Sequence, residues 1–286
     1  DEEVARAVAT AGIESIGSQK KMKVKDGKTE YLMFLGQEEL DQLTELLTPL
    51  ARESESTKVK IDKDLAKSLT EVLTKKNKSA VDVALFGRML ANLPEGNTDA
   101  SCQVAHAIST HRVERDFDYF TAVDDLKPDD TAGAGMIGTI EFNSSCYYRF
   151  SVIDRAQLTG NLGDAALASQ ALRGYAEAVA NAIPTGKQNT FAAHNPPSTV
   201  LAVVRHAQAP RNLANAFERA VPAGADGYQK ESARRLGEYW TKLDDAYGPA
   251  ESAWYLDISD GFPTDTRATR VGSLDELIEA VLNSVG

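Results

Sequence analysis

An α+β chain is what this sequence predicts, and three observations predict it. Amphipathic helical periodicity dominates residues 1 to 78, two strand-like runs flank a glycine-rich stretch between 112 and 152, and helices alternate with strands from there to the end. Residues 1 to 17 read as a helix stopped at Gly17. Lys21 to Leu35 reads as two short strands around Asp26-Gly27, a dipeptide suited to the positive φ of a tight hairpin turn. From Gln37 to Ala51, Leu40, Leu43, Leu46, Leu47 and Leu50 recur at three- and four-residue spacing. Asp62 is placed to cap a further helix carrying Leu65, Leu69, Val72 and Leu73.

The second half of the pattern is mixed. The apolar run Ala80 to Leu85 predicts a buried strand. Pro94, Gly96 and Asn97 then break the chain, and Asp99 is placed to begin a helix to about Ser109. Arg112 to Val123 and Ile137 to Phe150 predict a long β-hairpin whose tip, Asp124 to Met136, is polar and glycine-rich. An alanine-rich helix follows from Asp164 to Asn181, then a break at Pro184-Thr185-Gly186, a loop through Pro196-Pro197 and a strand from Val200 to Val204. Helices at Asn212 to Ala220 and Gln229 to Tyr247, a strand at Ala253 to Ile258 and a helix opening at Ser273 complete the order. Ser273 and Glu276 have the spacing of a capping box.

Composition narrows the function. The 286 residues are 42% hydrophobic and 7% aromatic, enough for one sizeable core or two modest ones. No apolar run approaches the roughly 18 residues of a membrane span, and Asp1-Glu2-Glu3 is unlike a basic signal-peptide head, so a cytoplasmic location and no membrane partner are expected. Cys102 and Cys146 stand alone, which suggests neither a disulfide framework nor a thiolate metal site. The net charge of −11 weighs against nucleic-acid binding, yet residues 1 to 80 hold 14 basic and 15 acidic groups and are nearly neutral. Lys20, Lys21, Lys23, Lys25 and Lys28 cluster there, either as a solvated face or as a phosphate-facing patch.

Catalytic signatures are weak. Gly133-Ala134-Gly135-Met136-Ile137-Gly138 fits G-x-G-x-x-G, but it follows an acidic loop and leads into a strand-like run, whereas dinucleotide binding needs a strand before and a helix after. Asp124, Asp125, Asp129 and Asp130 supply oxygen ligands without the spacing or central glycine of a calcium loop. His106 and His111 are five apart, which misses helical zinc pairing, so each reads as a helix-end or packing residue. No G-x-S-x-G elbow is present. No enzyme and no cofactor is therefore expected; the rival reading is a metal- or nucleotide-dependent enzyme using Asp124 to Gly138. Residues 183 to 197 are dense in hydrogen-bond donors, and Lys187, Gln188 and Asn189 suit either a nucleic-acid backbone or a plain surface loop.

Ordered blocks along residues 80 to 285 resemble one family. They are Val81 to Met89, Gln103 to His111, Asp118 to Leu126, Ile137 to Phe142, Tyr148-Arg149, Gly186 to Ala193 and Leu213 to Glu218. Together they resemble CasC, the backbone subunit of the type I-E CRISPR surveillance complex Cascade. The resemblance implies a modified RRM-like (ferredoxin-like) palm with helical fingers and a β-hairpin thumb: fingers within 1–78, palm over 79–286, thumb at about 112–143. It also implies a homo-oligomer of antiviral defense whose partners are guide RNA (crRNA), target DNA, other copies of itself and other Cascade subunits.

At residue level the resemblance implies RNA contact by Met89, Phe120, Thr121, Val123 and Ile137, whose apolar or small side chains wedge between bases, and by Lys187, Gln188 and Asn189. Target DNA would meet Lys20, Lys21 and Lys23. The family's opening strand, Asn-Arg-Asp-rich loop and Arg-x-Ser-Ser-Gln helix have no counterpart in residues 1 to 286. The expectation is a sequence that begins inside the fingers, with a palm short of one strand and a reduced affinity for RNA.

Overall fold

The computed structural model describes residues 1–17, 21–75, 79–122, 136–186 and 188–285, with the backbone alone at 120–122 and 136–137. In chain order the elements are α1 (Glu2–Ser15), β1 (Val24–Lys25), β2 (Lys28–Thr29), α2 (Gln37–Glu53), α3 (Lys63–Thr74), α4 (Val81–Phe86), β3 (Cys102–Val104), β4 (Ile108–Ser109), β5 (Asp116–Ala122), β6 (Met136–Phe142), β7 (Tyr147–Tyr148), β8 (Ser151–Ile153), α5 (Arg155–Leu162), α6 (Ala165–Asn181), α7 (Gln188–Phe191), β9 (Thr199–Val204), α8 (Gly227–Tyr247), β10 (Ser252–Asp257), β11 (Thr269–Arg270) and α9 (Leu274–Val285). This is an α+β architecture with small sheets, divided into two compact units: Asp1–Val104 with Ser151–Ala176, and Ala105–Phe150 with Glu177–Gly286.

The first unit is built on helices. Asp26 and Gly27 take φ of 53° and 71°, the double left-handed turn that lets β1 and β2 pair antiparallel. Asp62 caps α3 by accepting from the Leu65 N–H at 2.7 Å. The leucine stripes of α2 and α3 then meet in a core of Ile16, Leu43, Leu69, Val72, Leu73, Leu90 and Leu93. One ion pair is buried beside it. The Arg88 guanidinium lies 2.8 Å from both carboxylate oxygens of Glu39, while Glu39 also accepts the Gly36 N–H that opens α2. Arg88 donates besides to the carbonyls of Phe34, Leu73 and Gly96.

Two sequence expectations fail in this unit. Residues 81–86 form a helix where a strand is expected, because short apolar runs carry no decisive period. Its last carbonyls find partners: Ser101 donates its N–H to Leu85 O at 3.1 Å and its hydroxyl to Ala84 O at 2.8 Å, and Asn161 Nδ2 adds a bond to Ala84 O. Gly87 ends the helix at φ 78°, and a Cβ there would lie only 2.9 Å from Thr98 O. The helix expected from Asp99 is also absent. Cys102–Val104 instead pairs antiparallel with Ser151–Ile153, a distant partner that local capping signals cannot see. Cys102 packs with Ala84, Leu85, Leu158 and Leu162, and burial pushes its thiol pKa up.

The second unit carries a three-stranded sheet in the order β11-β10-β9. β10 alternates in burial, so Ala253, Tyr255 and Asp257 point to a core that Trp240, Ala233 and Leu213 complete. Asp257 is fixed there: it accepts from Thr199, Ser259 and the N–H groups of Gly261 and Phe262. Buried Asp244 joins Arg205 and Arg211. Of the helix expected at 212–220, only a single 3₁₀ turn at Ala214–Phe217 forms. The expected cap of α9 is present, with Ser273 Oγ accepting the Glu276 N–H and Glu276 reaching back to the Gly272 N–H at 2.7 Å. Among the described residues no helix is long and apolar enough to cross a membrane.

Candidate nucleic-acid interface

A two-stranded hairpin and one loop of the second unit hold most of the expected site. β5 and β6 pair antiparallel from Asp116↔Phe142 to Ala122↔Met136. Thr121 is opposite Ile137 and Phe120 is opposite Gly138, so the register places position 120 on the other face of the ribbon from 121 and 137. Val123 and the acidic tip fall outside the described residues. Phe117 and Tyr119 share a face with Thr139 and Glu141, and the two rings are 53% and 74% exposed. Sequence reasoning passes over this pair, although their spacing of two within a strand is the signal for it. Arg115 and Glu141 close the exposed base of that face at 3.1 Å.

Below the hairpin the chain is pinned at several points. Ile108–Ser109 pairs with Tyr147–Tyr148, in the segment where a helix is expected. Thr110 N–H donates to Cys146 O at 2.9 Å, and Cys146 N–H donates to His111 Nε2 at 3.1 Å. His111 stacks on Tyr228 with ring centroids 3.8 Å apart, so it is a packing residue as expected, but not at a helix end; His106 is exposed on a non-helical stretch. The Tyr148 hydroxyl donates to Asn212 Oδ1 at 3.0 Å and accepts the Leu213 N–H at 2.9 Å. Burial pushes its pKa up to about 12, against the opposing pull of the Leu213 N–H.

The loop joins the hairpin through two rings. Phe142, at the foot of β6, meets Phe191 of α7 with centroids 4.6 Å apart, which brings the hairpin and the Gly186–Ala193 block together. Gln188 N–H donates to Thr185 O and Ala192 N–H to Gln188 O, winding Gln188 and Asn189 into one short turn in which Gln188 is half-buried and Asn189 exposed. Lys187 falls outside the described residues. Arg149 fixes the start of the loop by donating to Ala180 O and Ala182 O, the carbonyls that the end of α6 leaves open.

The remaining candidates are in the first unit. Met89 is 78% exposed, because Arg88 and Leu90 on either side are drawn into the interior. Lys21 and Lys23 are exposed beside the β1–β2 turn, and Lys20 falls outside the described residues. The nucleotide reading loses its required helix, since β6 begins at Met136 where a pyrophosphate-binding helix would start. Among the described residues no three His, Cys, Asp or Glu side chains gather in a way that could hold a metal.

Residues 1–280 match the CT1975-like protein family. The chain belongs to that family. A chain of a solved structure described as a CRISPR RNA-guided surveillance complex, pre-nicking, is similar to this CT1975-like protein with 30% identity and a TM-score of 0.85, over all of this chain and 79% of the other. A chain of another CRISPR RNA-guided surveillance complex shares 28% identity at a TM-score of 0.64, covering 95% of this chain and 93% of its own length. None of the curated proteins matches. These likenesses bear out the resemblance to the Cascade backbone subunit read from the sequence.

Proposed function

We propose that this CT1975-like chain is a non-catalytic, crRNA-binding backbone subunit of a type I-E CRISPR surveillance complex, acting in the cytoplasm. In this reading copies stack along the guide and with other Cascade subunits, each holding guide backbone with its Gly186–Ala193 loop and displacing a base with its thumb. Base pairing then reads the target, while the protein reads backbone and shape. Residues 1–78 act as fingers, with Lys20, Lys21 and Lys23 toward target DNA, and 79–286 as an RRM-like palm with the thumb at about 112–143.

The observation that carries the reading is the Phe142–Phe191 contact, which ties the base of an exposed hairpin to a donor-rich turn in one unit. On this reading the contact ties the strand that carries the wedge, at its base, to the turn that clamps the guide backbone. The test is guide binding by the full-length protein at two salt concentrations, with a Phe120→Ala variant. Wild type is expected to bind less tightly at higher salt, through counterion release, and to protect the guide from nuclease at regular intervals. Phe120→Ala is expected to keep binding and lose the regular interval. Absence of guide binding, or an identical protection pattern in the variant, contradicts the reading.

A further inference from the structure

The β4–β7 ladder stops at Ser109↔Tyr147, and the thumb ladder starts only at Asp116↔Phe142. The bond between Thr110 N–H and Cys146 O continues the pairing by one step. After it a side chain takes over, as the Cys146 N–H donates to His111 Nε2 at 3.1 Å, while His111 Nδ1 lies 2.8 Å from Arg112 O. Both partners have fixed polarity: an amide N–H only donates and a carbonyl only accepts. Holding both bonds therefore requires the neutral ring with its proton on Nδ1. A second proton has to occupy Nε2, where it faces the Cys146 N–H, so the cation cannot keep this bond.

The ring and the two residues before it are held by further contacts. Tyr228 stacks on it at an interplanar angle of 14°. Ser109 Oγ donates to His111 O at 2.7 Å, Val221 N–H donates to Thr110 O, and the Ser232 hydroxyl bonds Thr110 Oγ1 at 2.9 Å. Among the described residues, the titratable and charged groups that line the cavity at the ring or touch it are Arg112 and Glu114 from its own segment, Cys146 opposite and Tyr228 from α8. The wall formed by Ala220 to Ala223 carries none.

We infer that His111 is a positioning residue of the thumb: its neutral imidazole fixes the hairpin at its base through Cys146, and protonation releases that hold. The consequence for RNA rests on the guide-binding reading, whereas the latch is measurable without RNA. Imidazoles gain their second proton between about pH 5 and 8, so the comparison runs from about pH 7.5 to about pH 5.5.

The experiment measures hydrogen-exchange protection at the Cys146 amide, relative to the unstructured rate at each pH, in the full-length wild type and in His111→Gln, whose amide oxygen can accept from Cys146 and does not titrate. Loss of one hydrogen bond predicts about fivefold less protection for wild type at the lower pH and none for His111→Gln. The same response in both proteins, or no response in wild type, overturns the latch. On a bound guide, the regular nuclease-protection interval is expected to blur at the lower pH in wild type and persist in His111→Gln. A responsive Cys146 amide with an unchanged interval overturns the positioning role. Absence of guide binding at every pH counts against the guide-binding reading, and the Cys146 amide still decides the latch.

Discussion

Replacing Arg88 by Met tests how the first unit presents Met89. Methionine keeps much of the stem volume, so the loss falls on polar contacts rather than on a cavity. The Arg88 side chain is 4% exposed and its Glu39 partner 16%. Removing it leaves Glu39 with the Gly36 N–H and strips the carbonyls of Phe34, Leu73 and Gly96 of a donor. Breaking a buried pair from one side costs about 3–5 kcal/mol, and orphaned carbonyls push the value toward the upper end, so a loss of about 4 kcal/mol is expected. Urea unfolding read by hydrogen exchange on the α2 and α3 amides confines the measurement to this unit. Arg88→Met with Glu39→Gln is expected to recover about 1–2 kcal/mol, because the uncompensated charge is gone. A loss below about 1 kcal/mol in the single variant refutes the reasoning, and would mean that water solvates Glu39 in place of the guanidinium.

Lys187→Ala is expected to weaken guide binding about three- to tenfold by filter binding while the thermal midpoint stays within a degree or two, since the proposed function gives this lysine a role in phosphate contact and none in folding. Asp257 tests acid stability. Burial alone raises its pKa, but hydrogen bonds from Ser259, Phe262 and Thr199 outweigh it and hold the carboxyl below its ordinary value. Its stabilisation is thus present above the unfolded carboxylate pKa of about 3.9 and lost as pH falls through the folded value. Urea midpoints of Asp257→Asn are expected to fall less steeply with acid than those of wild type; parallel curves contradict this. Tyr148 has the opposite sign: with a folded pKa near 12, its contribution is full below about pH 10 and lost between there and about 12. A phenolate absorbance titration of wild type against Tyr148→Phe checks it, and a titration step near pH 10 assigned to Tyr148 contradicts it.

Much of the fold is legible where one short stretch carries its own instruction. Asp26-Gly27 encodes its turn, Asp62 and Ser273 encode their caps, and the β5–β6 hairpin follows from two runs adjacent in sequence. The failures have a common cause. Val81–Phe86 is too short for its period to be read, and Cys102–Val104 becomes a strand only because Ser151–Ile153 returns to it. The site divides in the same way. An exposed Met89 between inward-facing neighbours follows from local anchoring. The His111–Cys146 bond, spanning 35 residues, and the Phe142–Phe191 contact exist only once the chain has folded back on itself.

Charge is the strongest objection to guide binding, and the structure changes how it weighs. Arg88, Arg205 and Arg211 are buried in ion pairs and build the fold rather than a phosphate surface, while the more exposed Arg234, Arg235 and Arg270 are each paired with a carboxylate of the same unit. The exposed Lys21, Lys23, Lys25 and Lys28 of the β1–β2 region form no ion pair among the described residues. Lysine is a mobile point charge that meets phosphate without the fork that reads a base edge, which suits the backbone contact with target DNA that the proposed function gives Lys21 and Lys23. On the guide-binding reading, a chain with a net charge of −11 would make few phosphate contacts per copy, so one copy would bind weakly and with a shallow salt dependence. On the guide-binding reading, tight holding then has to come from several copies on one RNA, where each bound copy raises the effective concentration of guide for the next. Stacking along the guide would thus be a requirement of the electrostatics as well as a way to cover its length.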